Sequence, residues 1–329
     1  MSKKVVYLFG AGSTHAELLA LDPNLEGNRE GLLTSQVSNR VFAHARKDKE
    51  FLADVDTVTG PAGPLNIELY ISLLENSKIH GWSDKAALLK TLVKNDITGI
   101  VGKFRKQGFF LHKGLLELHQ AGATKEPEEL LGLISLNYDD VLDEAYREIF
   151  ETAAVNYAFS SKDLKATKKP PLLKLHGSFN WEEEHVVIRK RRRIEIIPIG
   201  ASKNYVHAPY GHIWSCAMEI ITRCDILRII GCALHSNDLH LVDLLFKAHL
   251  ERGTKLRIEV IDMPNVADGI KERYGFFRGI VDMEALDITR MKTGPLNPFR
   301  DLLRHHCDYM GERRLKRTKF MKHAMEEKI

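Results

Sequence analysis

The stretch 5–9, VVYLF, followed by Gly10-Ala11-Gly12-Ser13-Thr14, decides how the chain is read. A continuous apolar run rich in β-branched and aromatic residues, with no polar alternation, marks a strand covered on both faces. The run stops at two glycines, and a helical pattern follows from about His15 to Leu21. Strand, tight glycine turn and helix is how a doubly wound α/β sheet begins. Two lysines ahead of the run imitate the start of a signal peptide. The apolar stretch is too short for one and ends in glycine, so a buried first strand is the reading.

Further strands follow the same pattern. They are expected at 130–136 (LLGLISL), 172–178 (LLKLHGS, entered through Pro170-Pro171), 226–230 (ILRII) and 256–261 (LRIEVI). Residues 186–199 hold two apolar pieces about a basic centre, which reads as a hairpin. A helix from about Leu239 to Glu251 separates two of the strands, and strand, helix and strand across 215–275 implies parallel βαβ units. Residues 28–130 carry mostly helical periodicity instead, with a breaker, GPAGP, at 60–64. They read as a helical insertion after the first βα unit. The expected fold is therefore α/β, Rossmann-like and doubly wound, with a mostly parallel sheet. Residues 1–297 form the main domain, including the insertion, and 298–329 form a basic helical tail for assembly or partner contact.

Composition agrees with a soluble globular chain. Of 329 residues, 44% are hydrophobic and 28% charged, and the mean hydropathy is −0.23. That is ample for a core, disfavours a disordered chain, and leaves no apolar stretch near the ~18 residues of a membrane span. Lys and Arg number 48 and Asp and Glu 44, so the net charge of +4 is too small to argue for nucleic acid globally. Basic residues do cluster at 189–193 (RKRRR) and 313–319 (RRLKRTK). They read as solvated surface or assembly contacts, with nucleic acid or an acidic partner protein as the other readings. The four cysteines, 216, 224, 232 and 307, form no Cys-x-x-Cys pair, which excludes a thiolate zinc ribbon. With no targeting segment in view, a reducing cytoplasm is the expected location.

Five segments place chemistry at strand ends, where open α/β sheets bind ligands. Gly10, Ala11, Gly12, Ser13 and Thr14 lead into a helix N-terminus, a site suited to a pyrophosphate. The dinucleotide fingerprint is incomplete, because His15 stands where Gly or Ala is usual, and a plain strand-to-helix turn has the same signature. Asn137, in LNYDD, has an amide able to hold a water or a ribose hydroxyl. Asp139 and Asp140 beside it fit the capping of the following helix better than Asn137 does. His176, in LHGS, leaves a buried strand into a glycine turn and is placed for acid–base work, against the reading of a structural histidine. Gly231, in IIGCAL, makes a second glycine turn, and Asp238 after it reads as a helix cap or a ligand contact. Asp262, in VIDMP, is either an acceptor for ribose hydroxyls or a turn-initiating aspartate. Metal spacing is missing: His235, Asp238 and His240, or His305-His306-Cys307, lack a His-x-x-x-His pair or a third ligand. No nucleophile elbow or Walker lysine occurs, which disfavours a serine hydrolase and a P-loop ATPase.

The order GAGST, LNYDDVLDEAY, KLHGSFNW, IPIGASK, DILRIIGCALHSNDLH, VIDMP resembles the sirtuin-like NAD-consuming domains of bacterial anti-phage defence systems. The likeness spans residues 4 to about 265, interrupted by the insertion. It implies a Rossmann-like fold that binds NAD at the strand ends, with no metal. By that resemblance Asn137 and His176 stand where the family has its catalytic pair. Gly10, Ala11, Gly12 and Ser13 match the phosphate-binding loop, and Thr14 and Asp139 are expected among the cofactor-binding residues. Gly231 matches the later nucleotide-contacting turn, and Asp262 lies near the adenine ribose. Protein-deacetylating sirtuins carry a zinc ribbon and a Gly-Ile-Pro-Asp-Phe-Arg stretch after the first glycine loop, and neither occurs here. The implied activity is hydrolysis of the nicotinamide–ribose bond, giving ADP-ribose. A non-catalytic nucleotide-sensing or nucleic-acid-associated module and a protein deacylase are the alternatives. The stretch beyond the last matched motif is too short for a large sensor. The resemblance therefore implies a homo-oligomer with a separate activator, a HerA-type ATPase ahead of an Argonaute-like protein.

Overall fold

A computed structural model describes residues 2–25, 31–47, 66–122, 124, 126–160, 168–182, 209–235, 238–254, 256–274, 281–285, 297–307 and 318–325. Among the described residues six strands form one sheet: β1 (Lys3–Phe9), β2 (Glu128–Ser135), β3 (Leu172–Lys174), β4 (Ile226–Ile230), β5 (Leu256–Ile261) and β6 (Val281–Ala285). Their order is β3-β2-β1-β4-β5-β6, and every neighbouring pair is parallel. This is the doubly wound order, with the sequence direction reversing between β1 and β4. Val5 to Phe9 lie at its centre with no exposed surface. A strand covered on both faces cannot alternate polar and apolar residues, which explains the unbroken run.

Two strands differ from expectation. The run 172–178 pairs only over Leu172–Lys174. Beyond it the Gly177 N–H returns to the Lys174 carbonyl at 3.1 Å, turning the chain so that His176 stands past the strand end. β6 was not foreseen, because VDMEA has acidic residues between its apolar ones and no continuous apolar run. The expected hairpin at 186–199, the breaker at 60–64 and the cluster at 189–193 lie outside the described residues, as does most of 313–319.

Helix α1 (Ala11–Leu21) begins immediately after Gly10, four residues earlier than the pattern predicts. Between it and β2 run α2 (Thr34–Ala45), α3 (Ile67–Asn76), α4 (Trp82–Arg105) and α5 (Leu111–Gln120). The first three pack on one another: Phe42 meets Tyr70 edge-on at 5.4 Å between ring centroids, and Arg40 pairs with Asp96 at 2.7 Å. α5 instead lies on the sheet, with His112 against Phe9 and His119 against Tyr7. Its N-terminus is held by the buried Glu17 carboxylate. That carboxylate accepts the N–H groups of Phe110, Leu111 and His112 at 2.9–3.1 Å and meets His112 Nδ1 at 3.0 Å. Burial alone would raise the Glu17 carboxyl; the His112 and backbone contacts outweigh it and hold it below its ordinary value.

The remaining helices among the described residues are α6 (Val141–Ile149), α7 (Tyr210–Arg223), α8 (Leu239–Arg252), α9 (Pro264–Arg273), α10 (Pro298–Cys307) and α11 (Lys319–Met325). α8 matches the expected helix and closes at Gly253. In α10 and α11, Phe299, Leu302, Leu303 and Met321 are buried in the core, and α10 packs against α1, α5 and β5. The Glu117 carboxylate of α5 accepts the first N–H groups of α11 at 2.7–3.1 Å. A charged rung also crosses the sheet interior. Arg228 on β4 pairs with Glu128 on β2 at 2.7 Å and Glu259 on β5 at 2.6 Å, and donates to Tyr7 on β1 at 2.9 Å. Arg257 pairs with Glu259 at 2.9 Å, so two guanidinium groups face the two carboxylates, as burial requires.

Candidate active site

The strands all point their carboxyl ends the same way, so the segments after β1, β2, β3, β4 and β5 converge. They line one cavity of about 680 Å³, within the range of small-molecule sites. Gly10, Ala11, Gly12, Asn137, Asp139, His176, Gly231 and Asp262 all lie on its wall. Ser13 and Thr14 stand behind it, fully buried.

The glycine turns pack against each other. Gly12 N–H donates to the Gly231 carbonyl at 2.8 Å, and Gly10 N–H to the Ile230 carbonyl at 3.0 Å. A Cβ on Gly10 would stand 2.6 Å from Cys232 Cβ, and one on Gly231 would run into Ser13 N and Gly12. Gly231 also has φ +62°. The glycines are thus needed first for the contact between two loops. The helix start is largely self-satisfied as well, since Ser13 N–H and Oγ both donate to the Gly10 carbonyl. Among the described residues, the Ala11 N–H of this turn has no acceptor.

Asn137 is held by that same turn. Its Nδ2 donates to the Gly10 carbonyl and to Thr14 Oγ1, both at 3.0 Å. The carbonyl contact requires an amine there, so Oδ1 is the atom left for a ligand. Asp139 Oδ2 accepts from Thr14 Oγ1 at 3.0 Å, and Oδ1 accepts the Val141 N–H at 3.2 Å at the start of α6. Burial raises the Asp139 carboxyl despite these donors and Lys174. Asp140 occupies the N-cap position of α6 without a side-chain cap bond, its carboxylate pairing with Arg105 instead.

Beneath the site is a buried lysine. Lys174, the last residue of β3, has no exposed surface. Its Nζ donates to the Asp139 carbonyl and to Asp143 Oδ2, the latter at 3.0 Å, and Tyr157 Oη donates to Asp143 Oδ1 at 2.5 Å. This clamp fixes the Asn137 segment relative to the strand that presents His176. A lysine inside the run LLKLHGS was the sequence signal for it.

His176 is buried, with its ring 6.0 Å from that of Tyr138. Its Nε2 lies 3.6 Å from Asp238 Oδ2. Asp238 does sit at the N-cap position of α8, but its side chain makes no cap bond. The capping role is therefore positional only, and Asp238 lines the cavity. Asp262 is partly buried and accepts the Met263 N–H at 2.7 Å. Burial pushes its carboxyl up to about 6 against that hydrogen bond.

The insertion and the tail complete the wall, which no local motif revealed. Ser35, Asn39 and Asn66 come from α2 and the start of α3, and Asn297 and Phe299 from the start of α10. Asn297 Nδ2 donates to the Ala16 carbonyl at 2.8 Å, tying α10 to α1. His15, the departure from the dinucleotide fingerprint, lines the cavity and accepts the Leu32 N–H at 3.4 Å. Among the described residues no group of three or more His, Cys, Asp or Glu side chains is arranged to hold a metal. No described helix is long and apolar enough to cross a membrane.

These strand ends have a counterpart among known families. Residues 132–262 match the model of the SIR2-like domain. The SIR2-like match starts within β2 and ends at Asp262, so it includes Asn137, His176, Gly231 and Asp238. Solved structures similar to the chain include a Sir2 enzyme (15% identity, 96% of this chain and 94% of that chain, TM-score 0.39). A Sir2 homologue solved with NAD is another (15% identity, 93% and 90%, TM-score 0.35). No curated protein sequence matches.

Proposed function

We propose that the chain is an NAD⁺ glycohydrolase that cleaves the nicotinamide–ribose bond to give nicotinamide and ADP-ribose. The observation that carries this reading is the order of groups along one cavity. Across the sheet from β3 to β5 they run His176, Asn137, the Gly10–Thr14 turn, the Gly231 turn and Asp262. At ~4.8 Å between strands, four steps span roughly 19 Å. Polar side chains stand at both ends and backbone turns in the middle, at the switch point between β1 and β4. That pattern fits a dinucleotide whose two phosphates lie over the turns. The SIR2-like match over 132–262 supports NAD as the substrate.

The chemistry required is modest. Nicotinamide departs neutral from a cationic pyridinium, through an oxocarbenium-like state at the ribose carbon. Asn137 Oδ1 positions the attacking water or a ribose hydroxyl. His176 takes the proton released, a contribution of about 10²–10⁴-fold. Asp262 accepts the hydroxyls of the adenine ribose, and Asp139 holds Thr14 and the phosphate turn in place. Water supplies the hydroxyl of ADP-ribose and the remaining proton leaves through His176, so no metal or redox partner is needed.

The resemblance to anti-phage domains supports a role as the NAD-depleting effector of an abortive-infection system, in the cytoplasm. In that role the chain forms a homo-oligomer and is restrained by a separate sensor, a HerA-type ATPase ahead of an Argonaute-like protein. The test is a time course of NAD with purified protein, following nicotinamide by chromatography, with and without such an ATPase. ADP-ribose that appears with wild type and not with His176→Ala supports the hydrolase. NAD left intact in both conditions, with NAD or ADP-ribose still bound, turns the reading to a sensing module.

A further inference from the structure

We infer that Asp238 is a positioning residue for His176, a carboxylate that orients the imidazole and balances the charge it gains on accepting a proton. The inference rests on the hydrolase reading for its catalytic consequence, though the pairing itself is a matter of geometry. Asp238 Oδ2 lies 3.6 Å from His176 Nε2, and the two side chains are 16% and 6% exposed. That separation is an ion-pair distance longer than a hydrogen bond, and such contacts tighten when a site is loaded.

Two features place the carboxylate at the cavity. Asp238 occupies the N-cap position of α8, where an aspartate ordinarily bonds the N–H groups of the first turn, yet it makes no such bond. It also lies on the cavity wall together with His176. The two residues come from opposite halves of the sheet, His176 after β3 and Asp238 after β4, so only the folded chain brings them together. The other ionisable groups on this wall are His15 from α1, Tyr138 and Asp139 after β2, Glu68 from α3, Cys232 after β4, His235 ahead of α8 and Asp262 after β5. Asp238 is a carboxylate that pairs with His176 across the cavity. When a ribose hydroxyl or a water gives its proton to His176, the imidazole becomes cationic. The Asp238 carboxylate stabilises that cation, and no electron changes hands. This is the logic by which an acid behind a histidine serves a general base.

The test compares wild type, Asp238→Asn and Asp238→Glu. Asparagine keeps the shape and is itself a good N-cap, so the fold is retained. The first readout needs no turnover: the imidazole titration of His176 followed by NMR on histidine-labelled protein, with the resonance identified by its loss in His176→Ala. It moves to lower pH in Asp238→Asn and stays near wild type in Asp238→Glu. The second is turnover: Asp238→Asn lowers kcat about 10- to 100-fold, leaves KM within a few-fold, and moves the acidic limb of kcat/KM to lower pH. An unmoved His176 titration in Asp238→Asn overturns the pairing, whatever the turnover. A moved titration in a protein that leaves NAD intact upholds the pairing and removes the hydrolase reading instead.

Discussion

Nδ2 of Asn137 donates to the carbonyl oxygen of Gly10 at 3.0 Å, joining the end of β2 to the turn that follows β1. The side chain proposed to act in the reaction is thus also a strut of the glycine turn. Asn137→Ala removes the donors to Gly10 and Thr14, which costs about 1–2 kcal/mol of stability as well as turnover. His176→Ala removes a cavity-wall ring outside that strut, so it abolishes turnover with a smaller loss. Nicotinamide release and urea unfolding, run side by side, check the difference. Equal stability losses in the two variants would refute the strut.

Gly231 and Gly253 have nearly the same backbone, φ +62° and +65°. A Cβ on Gly253 has nothing within 4 Å, whereas one on Gly231 enters the backbone of Gly12 and Ser13. Gly253→Ala should therefore cost about 1 kcal/mol, the price of the left-handed backbone alone. Gly231→Ala should cost several times more and lose nucleotide binding. Thermal unfolding with and without NAD separates the two effects.

Asp262 gives a pH dependence with a definite sign. Burial lifts its carboxyl from 3.8 to about 6, so the folded chain holds that proton more tightly than the unfolded chain does. This contribution to stability is fullest below about pH 4 and falls as pH rises towards about 6. Its size is at most about 3 kcal/mol, and less for a partly solvated group. Asp301, likewise raised to about 6 by burial, adds to the same window. Asp262→Asn should raise Tm at pH 7 and flatten part of the decline between pH 4 and 6. NAD affinity of the wild type should rise through the same interval, as the carboxylate able to accept ribose hydroxyls forms.

Lys174 and Asp143 are both fully buried and pair at 3.0 Å. Lys174→Met strands the Asp143 carboxylate and should cost about 3–5 kcal/mol. Adding Asp143→Leu should recover much of the loss, because an apolar pair leaves no charge uncompensated. A double-mutant cycle in guanidinium measures the coupling, and additive losses would argue against a direct pair.

The C-terminal helices bear on how assembly is tested. Removing 298–329 takes away Phe299, Leu302, Leu303 and Met321, each buried. At ~1.5–3 kcal/mol apiece the loss rivals a domain's whole stability. The truncated chain should be unfolded or insoluble by circular dichroism. Partner and oligomer contacts are better probed by charge reversal at Lys322, an exposed residue of α11, with native mass as the readout.

Local sequence was sufficient for four of the six described strands and for the segments after β1 to β5 that line the cavity. Buried parallel strands need unbroken apolar runs, and VVYLF, LLGLISL, ILRII and LRIEVI are such runs. A glycine or polar residue must follow where each strand leaves the core. Asn137, His176, Gly231 and Asp262 were legible for that reason. What the sequence left open depends on pairs distant along the chain. The short third strand is set by a turn at Gly177, and β6 by pairing with β5 and not by a run of its own. The Gly10–Gly231 contact spans 221 positions, and it shows that the glycines serve backbone packing before any ligand. The Lys174 clamp, the His176–Asp238 pair and the walls lent by α2, α3 and α10 are likewise tertiary. Apolar periodicity is imposed by burial and can be read residue by residue, whereas the partner of a buried polar group is chosen by the fold.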